Sequence, residues 1–141
     1  MIVLDTDHLS VLTLPQDARH NGLVTRLSSA DQGPVVTTVV NLEEQLRGWL
    51  AYIHRITDVR KQVQAYERLA AVIEFFAEWE VLSFDLPAAV KCLELKRARI
   101  RIGSMDLKIA AVTLLHDGLL LSANLQHFGQ VPGLRVENWL Q

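Results

Sequence analysis

Short apolar runs, several of them rich in valine or leucine, recur along the chain between longer segments of mixed polarity. An uninterrupted apolar run of this kind is typical of a strand that is buried on both faces of a parallel sheet. The runs predict strands over residues 2–5, 35–40, 81–84, 119–122 and 134–136.

The segments between these runs carry apolar residues three and four positions apart, which is the pattern of a helix with one buried face. Thr6 or Asp7 is expected to cap the first helix, and Pro87 fits the first turn of a later one. Gly103 ends that helix, and Ser104 caps the next. The first predicted helix ends at about residue 14, and the others span residues 17–30, 42–54, 57–80, 87–102 and 105–116.

Strands that alternate with helices predict a three-layer α/β/α fold with a central parallel sheet of four to five strands. Residues 42–54 and 57–80 are predicted to form a helical hairpin beside it. Right-handed crossovers place the carboxyl ends of all strands along one edge of the sheet. The length of 141 residues fits one domain over residues 1–141.

Several oxygen-bearing side chains are expected at that edge. Asp5 ends the first apolar run, where a carboxylate is costly to bury unless it has a partner. Glu43 and Glu44 lie in the first turn of the helix after the second strand, and Asp106 lies in the first turn of a later helix. Asn124 follows the fourth strand.

An acidic residue in the first turn of a helix often only complements the helix dipole. Several carboxylates at one edge, however, repel each other and require a cation. Oxygen ligands without a Cys or His cluster favour Mg²⁺ or Mn²⁺ over zinc. Adjacent helical residues point about 100° apart, so only one of Glu43 and Glu44 can be a metal ligand. Glu44 is the better candidate because it shares a face with Gly48, which leaves room for another group.

The charge of the chain argues against a broad electrostatic attraction to nucleic acid, because the net value is −2. Local contacts are still expected from Arg99 and Arg101, which precede Asp106, unless they only form a solvated helix end. Arg47 either faces the site or pairs with Glu43. The three tryptophans are expected in the core, so no aromatic stacking platform is predicted.

One cysteine permits no intramolecular disulfide and favours a reducing compartment, here predicted to be the cytoplasm. No apolar run approaches the roughly 20 residues of a membrane-spanning helix, so no membrane association is expected.

Nearly the whole chain resembles the PIN-domain ribonucleases, in particular the VapC-like toxins of bacterial toxin–antitoxin systems. The resemblance rests on the order and spacing of weak motifs rather than on any one of them. These motifs are IVLDT at 2–6, EQLRG at 44–48, IGSMDLKIAA at 102–111, SANLQHF at 122–128 and VPGLRVENW at 131–139.

The resemblance implies a metal-dependent endoribonuclease that uses Mg²⁺ or Mn²⁺. By position, Asp5 and Asp106 are similar to the principal metal ligands, Glu44 to a ligand that binds directly or through water, and Asn124 to a further catalytic group. The resemblance also implies a homodimer and a small VapB-like antitoxin that inserts into the acidic groove.

The last part of the site departs from the family pattern. Family members often have Thr-x-Asn or Thr-x-Asp and then Asp-Phe, whereas this chain has Ser122 and Asn124 followed by His127 and Phe128. The Ser122 hydroxyl is expected to orient Asp5 or a water molecule. His127 replaces a carboxylate and becomes either a substrate contact or a local packing residue.

Two other functions fit parts of the pattern. Asp5-Thr6-Asp7 also resembles the Asp-x-Asp strand end of haloacid-dehalogenase-like phosphatases, but Leu9 and the lack of a late acidic pair disfavour that family. Asp7 is then expected to be a helix cap. The second alternative is a PIN-like module that binds RNA or protein without cleaving it.

Overall fold

A computed structural model describes residues 1–141 and contains five strands and seven helices. The strands are short and lie between helices in chain order. They are β1 (Ile2–Leu4), β2 (Val35–Thr38), β3 (Val81–Leu82), β4 (Leu119–Leu121) and β5 (Arg135–Glu137). The helices are α1 (Thr6–Leu12), α2 (His20–Ser29), α3 (Val39–Arg55), α4 (Val59–Ala77), α5 (Leu86–Arg97), α6 (Ser104–Leu115) and α7 (Leu125–Phe128).

The strands form one all-parallel sheet in the order β3-β2-β1-β4-β5, which confirms the predicted fold class. The central strand is β1, whose Leu4 lies opposite Leu121 of β4. Because the strands run in one direction, the residues that follow β1, β2 and β4 meet at a single edge. Helices α3 and α4 pack against each other as the predicted hairpin.

Alternate side chains of β1 enter two separate cores, because successive residues of a strand point to opposite faces. Val3 packs with residues of α5 and α6, whereas Ile2 and Leu4 pack with residues of α1 and with Phe76 and Trp139. Helices therefore cover both faces of the sheet. No helix is both long enough and apolar enough to span a membrane.

Several predicted element ends were wrong, because contacts with other parts of the chain decide them. Asp5 caps α1 by accepting from the Thr6 backbone N–H, so neither Thr6 nor Asp7 is the cap. Gly103 rather than Ser104 precedes α6 as its N-cap. Helix α5 ends at Arg97, short of residue 102, and Arg99 then adopts a left-handed φ of 59°.

Candidate metal centre

Asp5 is the most deeply held carboxylate at the edge of the sheet, with only 8% of its surface exposed. Its Oδ1 accepts from the Thr6 backbone N–H at 2.8 Å and from Asn41 Nδ2 at 3.0 Å. Its Oδ2 accepts from the Ser122 hydroxyl at 2.7 Å, so of the two partners considered for that serine, Asp5 or a water molecule, the hydroxyl reaches Asp5. Burial raises the pKa of Asp5, and the charge of Asp7 adds to this, while the Ser122 hydrogen bond opposes it.

Asn41 is a residue of the site that the sequence reasoning missed. It is fully buried in the first turn of α3, where its Oδ1 accepts from the Thr38 hydroxyl at 2.7 Å. This contact fixes the side-chain amide so that Nδ2 faces Asp5 and the Thr6 hydroxyl. Its position three residues before Glu44, on the same face of a helix, is the signal that could have revealed it.

Glu44 reaches the same edge from α3. Its Oε1 accepts from the Thr6 hydroxyl at 3.1 Å. Burial and the nearby charge of Asp5 raise the pKa of Glu44 to about 7, and the Thr6 hydrogen bond only partly offsets this. Glu43 instead forms an ion pair with Arg47, at 2.7 Å between Oε2 and Nη2. Glu44 is therefore the glutamate that faces the site, and Arg47 is engaged elsewhere.

Asp106 approaches from the first turn of α6, on the far side of the site. Asn124 Nδ2 lies 3.3 Å from Asp106 Oδ2 and 3.0 Å from His127 Nδ1. His127 is exposed on the short helix α7, and its Nδ1 lies 3.5 Å from Asp106 Oδ2. The structure thus brings Asp106, Asn124 and His127 together.

Asp7 does not cap α1 as predicted; instead it holds neighbouring parts of the structure together. Its Oδ2 accepts from the Ala123 backbone N–H at 2.8 Å, and its Oδ1 lies 2.5 Å from Nδ1 of the fully buried His8. Burial alone would raise the pKa of Asp7, but the hydrogen bonds from His8 and Ala123 hold it below its ordinary value. His8 Nε2 accepts from the Trp139 backbone N–H at 3.1 Å, which leaves the Nδ1 proton for Asp7.

The two remaining basic candidates lie outside this hydrogen-bonded group. Arg99 and Arg101 are exposed in the turn between α5 and α6. Neither forms an ion pair with a carboxylate. The structure therefore leaves their charges free, without bringing them into contact with Asp5 or Glu44.

A groove of about 750 Å³ continues from the site between α1, α3 and α4. Thr6 and Glu44 lie at one end of it, and Trp49 and Tyr52 line it further along α3. The expectation that all three tryptophans lie in the core was wrong for Trp49, because α4 covers only part of α3. The residues that line the groove are Thr6, Ser10, Leu14, Gln16, Glu44, Gln45, Gly48, Trp49, Tyr52, Arg55, Lys61, Gln64, Ala65 and Arg68.

The chemistry of the donors suits a hard divalent cation. The carboxylates of Asp5, Glu44 and Asp106 and the amide of Asn124 offer oxygen atoms, and no lysine or arginine neutralises the three acids. No three His, Cys, Asp or Glu side chains are drawn into a preassembled cluster. Mg²⁺ fits such an open arrangement because it usually keeps several waters and takes only one or two carboxylates directly.

The family assignment agrees with this fold and edge. The family model described as "PIN domain" matches residues 2–134, so the chain belongs to the PIN-domain family. Among individual relatives, the tRNA(fMet)-specific endonuclease VapC of Salmonella typhimurium is 35% identical over 80 residues. That match covers 53% of this chain and 61% of the relative, so the chain aligns with less than two thirds of it.

Solved structures show the same fold at lower sequence identity. VapBC-1 from nontypeable Haemophilus influenzae is 20% identical with a TM-score of 0.75, and the match covers 100% of both chains. DNA-bound VapBC from Salmonella typhimurium is 22% identical with a TM-score of 0.71, covering 98% of this chain and 97% of the other.

Proposed function

We propose that this chain is a metal-dependent endoribonuclease, a hydrolase of RNA phosphodiester bonds, and the toxin of a toxin–antitoxin pair. The observation that carries the proposal is that Asp5, Glu44 and Asp106 lie at one sheet edge of a PIN-domain chain, near enough for their charges to act on one another although they form no closed cluster. The relative named as a tRNA-specific endonuclease supports the choice of RNA.

Asp5 and Asp106 would hold Mg²⁺ or Mn²⁺ from opposite sides of the site, with Glu44 as a third ligand directly or through water. The ion, when bound, lowers the pKa of a coordinated water and neutralises charge that builds on the phosphate. Ser122 and Asn41 keep the two oxygens of Asp5 in fixed directions.

The amide of Asn124 and the imidazole of His127 contribute the other half of the site. Asn124 holds Asp106 in place, and the exposed ring of His127 is available to a phosphate or a water beside it. Arg99 and Arg101 are candidate phosphate contacts because their charges are free. Arg47 is a weaker candidate, since it already pairs with Glu43.

A cognate VapB-like antitoxin and a second copy of the chain are the proposed partners, and the cytoplasm is the proposed location. The VapBC structures that share the fold support the antitoxin. Exposed apolar side chains on α5 and at the end of α6 support self-association, which sedimentation velocity would measure. These side chains are Leu86, Val90, Leu93 and Leu115.

Cleavage of total RNA by the purified chain, with Mg²⁺, with Mn²⁺ and with EDTA, tests the nuclease assignment. Asp5→Asn and Asp106→Asn should abolish cleavage, whereas Asp31→Asn, at an exposed position outside the proposed metal centre, should not. If the wild type and Asp5→Asn give identical RNA profiles, the assignment fails.

One observation favours a second function, an inert PIN-like binding module. His127 stands beside Asp106 where many family members have a carboxylate, so the far side of the site offers one acid fewer. Such a module would bind RNA or a protein partner and leave the RNA intact with either metal.

A further inference from the structure

The groove between α1, α3 and α4 is continuous with the proposed metal centre. Thr6 and Glu44 belong to both, since they line the groove and also form the hydrogen bond beside Asp5. Its volume of about 750 Å³ falls in the ~300–1,000 Å³ range of pockets that hold small organic ligands. A polymeric ligand that enters the metal centre can therefore extend along α3 without a change in the fold of the protein.

The charges along this groove are positive apart from Glu44 at its end. Arg55, Lys61 and Arg68 line it, and none of them forms an ion pair with an acidic side chain. In a chain of net charge −2, three unpaired cations in one groove are a local departure from the average. Such a row of cations attracts a backbone of phosphates.

Two aromatic rings lie in the same groove. Trp49 and Tyr52 meet edge to face, with ring centroids 5.8 Å apart and planes at 85°. Tyr52 is 46% exposed, although it is a large aromatic side chain. Rings of this kind are the surfaces on which unpaired bases stack, and they tolerate any base.

Gly48 keeps the floor of the groove open. It lies inside α3, where glycine costs about 1 kcal/mol relative to alanine. A Cβ at this position would meet no atom within 4 Å, so packing within the chain does not require glycine. The open space is explained if a ligand passes over this turn of the helix.

We propose that the groove binds the single-stranded RNA segment that leads to the scissile phosphate. Bases stack on Trp49 and Tyr52, and Arg55, Lys61 and Arg68 contact the phosphates. Only four of the fourteen lining residues are hydrophobic, which suits a nucleic acid better than the apolar face of a protein helix. This inference rests on the proposed nuclease function and extends it to the substrate.

The first test fills the groove without removing a functional group. Gly48→Leu should raise the KM for a single-stranded RNA by about tenfold, the loss of roughly one stacked base, with little change in kcat. Gly22→Leu is the matched control, since Gly22 is also helical with nothing within 4 Å of a Cβ but lies outside the groove. Both variants should melt no lower than the wild type, because leucine favours helix.

The second test removes charge. Lys61→Gln with Arg68→Gln should raise the KM and reduce the slope of log affinity against log salt by about 0.7 for each lost phosphate contact. Arg60→Gln, one residue away on α4 but outside the groove, should leave the slope unchanged. A purely structural role for Lys61 or Arg68 would not alter a salt slope.

A binding measurement separates the failure of this inference from the failure of the nuclease assignment. In EDTA, a short unstructured RNA should quench tryptophan fluorescence, and Trp49→Phe should abolish the quenching. Trp79→Phe should retain it, because Trp79 is partly buried against the core and lies outside the groove. If the wild type cleaves RNA but Gly48→Leu and the charge variants keep its KM and salt slope, the groove inference is overturned. It is also overturned if these variants lose only the binding of an antitoxin, or if RNA does not quench Trp49.

Discussion

Replacing Asn41 with alanine isolates a side chain that supports the proposed metal centre without belonging to it. The change removes the Nδ2 donor from Asp5 and Thr6 and takes away the Oδ1 acceptor of the Thr38 hydroxyl. All three partners lie at the junction of β1, β2 and α3. The variant therefore leaves a buried carboxylate with one donor fewer and a buried hydroxyl without its acceptor.

The magnitude follows from these contacts. A hydrogen bond to a charged group contributes roughly 1.5–3 kcal/mol, and an unsatisfied buried hydroxyl costs about 1–3 kcal/mol. Alanine recovers about 0.5 kcal/mol through its better helix propensity. Asn41→Ala should therefore lower the free energy of unfolding by about 2–5.5 kcal/mol, or Tm by roughly 5–15 °C for a chain of this size.

Urea and thermal unfolding in EDTA measure this loss, and RNA cleavage measures its effect on Asp5. Residues that orient metal ligands typically change metal affinity or activity by about 10–100-fold, so cleavage should fall by that factor at limiting Mn²⁺. Asn21→Ala, at an exposed position of α2, should alter stability by no more than about 0.5 kcal/mol. A loss below about 1 kcal/mol for Asn41→Ala would refute the reasoning, because the contacts would then add little to the folded state.

Three further outcomes are expected. Because the pKa of Glu44 is raised to about 7, metal-free protein should lose stability as pH rises from 4.5 to about 7, and Glu44→Gln should remove this loss. After discounting for solvent screening, Glu44→Gln should have a free energy of unfolding in urea about 1–2 kcal/mol above that of the wild type at pH 8, and no measurable difference at pH 4. His8→Ala should cost about 2–4 kcal/mol, since it breaks buried contacts to Asp7 and Trp139 and leaves a cavity; unchanged unfolding would contradict this. Mn²⁺ at about 100 times its Kd should stabilise the wild type by about 2.7 kcal/mol in thermal unfolding, and an equal shift in Asp106→Asn would exclude that residue as a ligand.

The layering of the fold was predictable because buried parallel strands leave uninterrupted apolar runs, as at Ile2–Leu4 and Leu119–Leu121. The position of the site at the carboxyl edge of the sheet was predictable for the same reason, since each apolar run ends where the sequence becomes polar. The choice of Glu44 over Glu43 followed from helix geometry together with the open space that Gly48 leaves on the face of Glu44. In the structure Glu44 accepts from Thr6, whereas Glu43 pairs with Arg47.

Helix ends and the lining of the groove could not be predicted, because distant contacts decide them. Asn41 looks like an ordinary polar residue in a first turn until Thr38 and Asp5 are seen on either side of it. Trp49 lies on an apolar stripe, yet whether a neighbouring helix covers that stripe depends on how closely α3 and α4 approach. The pattern of one helix carries no information about that distance.

The two halves of the site differ in how they are attached to the sheet. Asp5 links β1 directly to α1, and Thr38 ends β2 where α3 begins, so no loop separates Asp5 or Glu44 from the sheet. Asn124 instead lies beyond a short link after β4, where it precedes α7, and His127 lies within that helix of only four residues. An ion would therefore find one side of its coordination sphere built on a fixed frame and the other free to adjust. Sequence change in this chain should be tolerated at the second side long before the first.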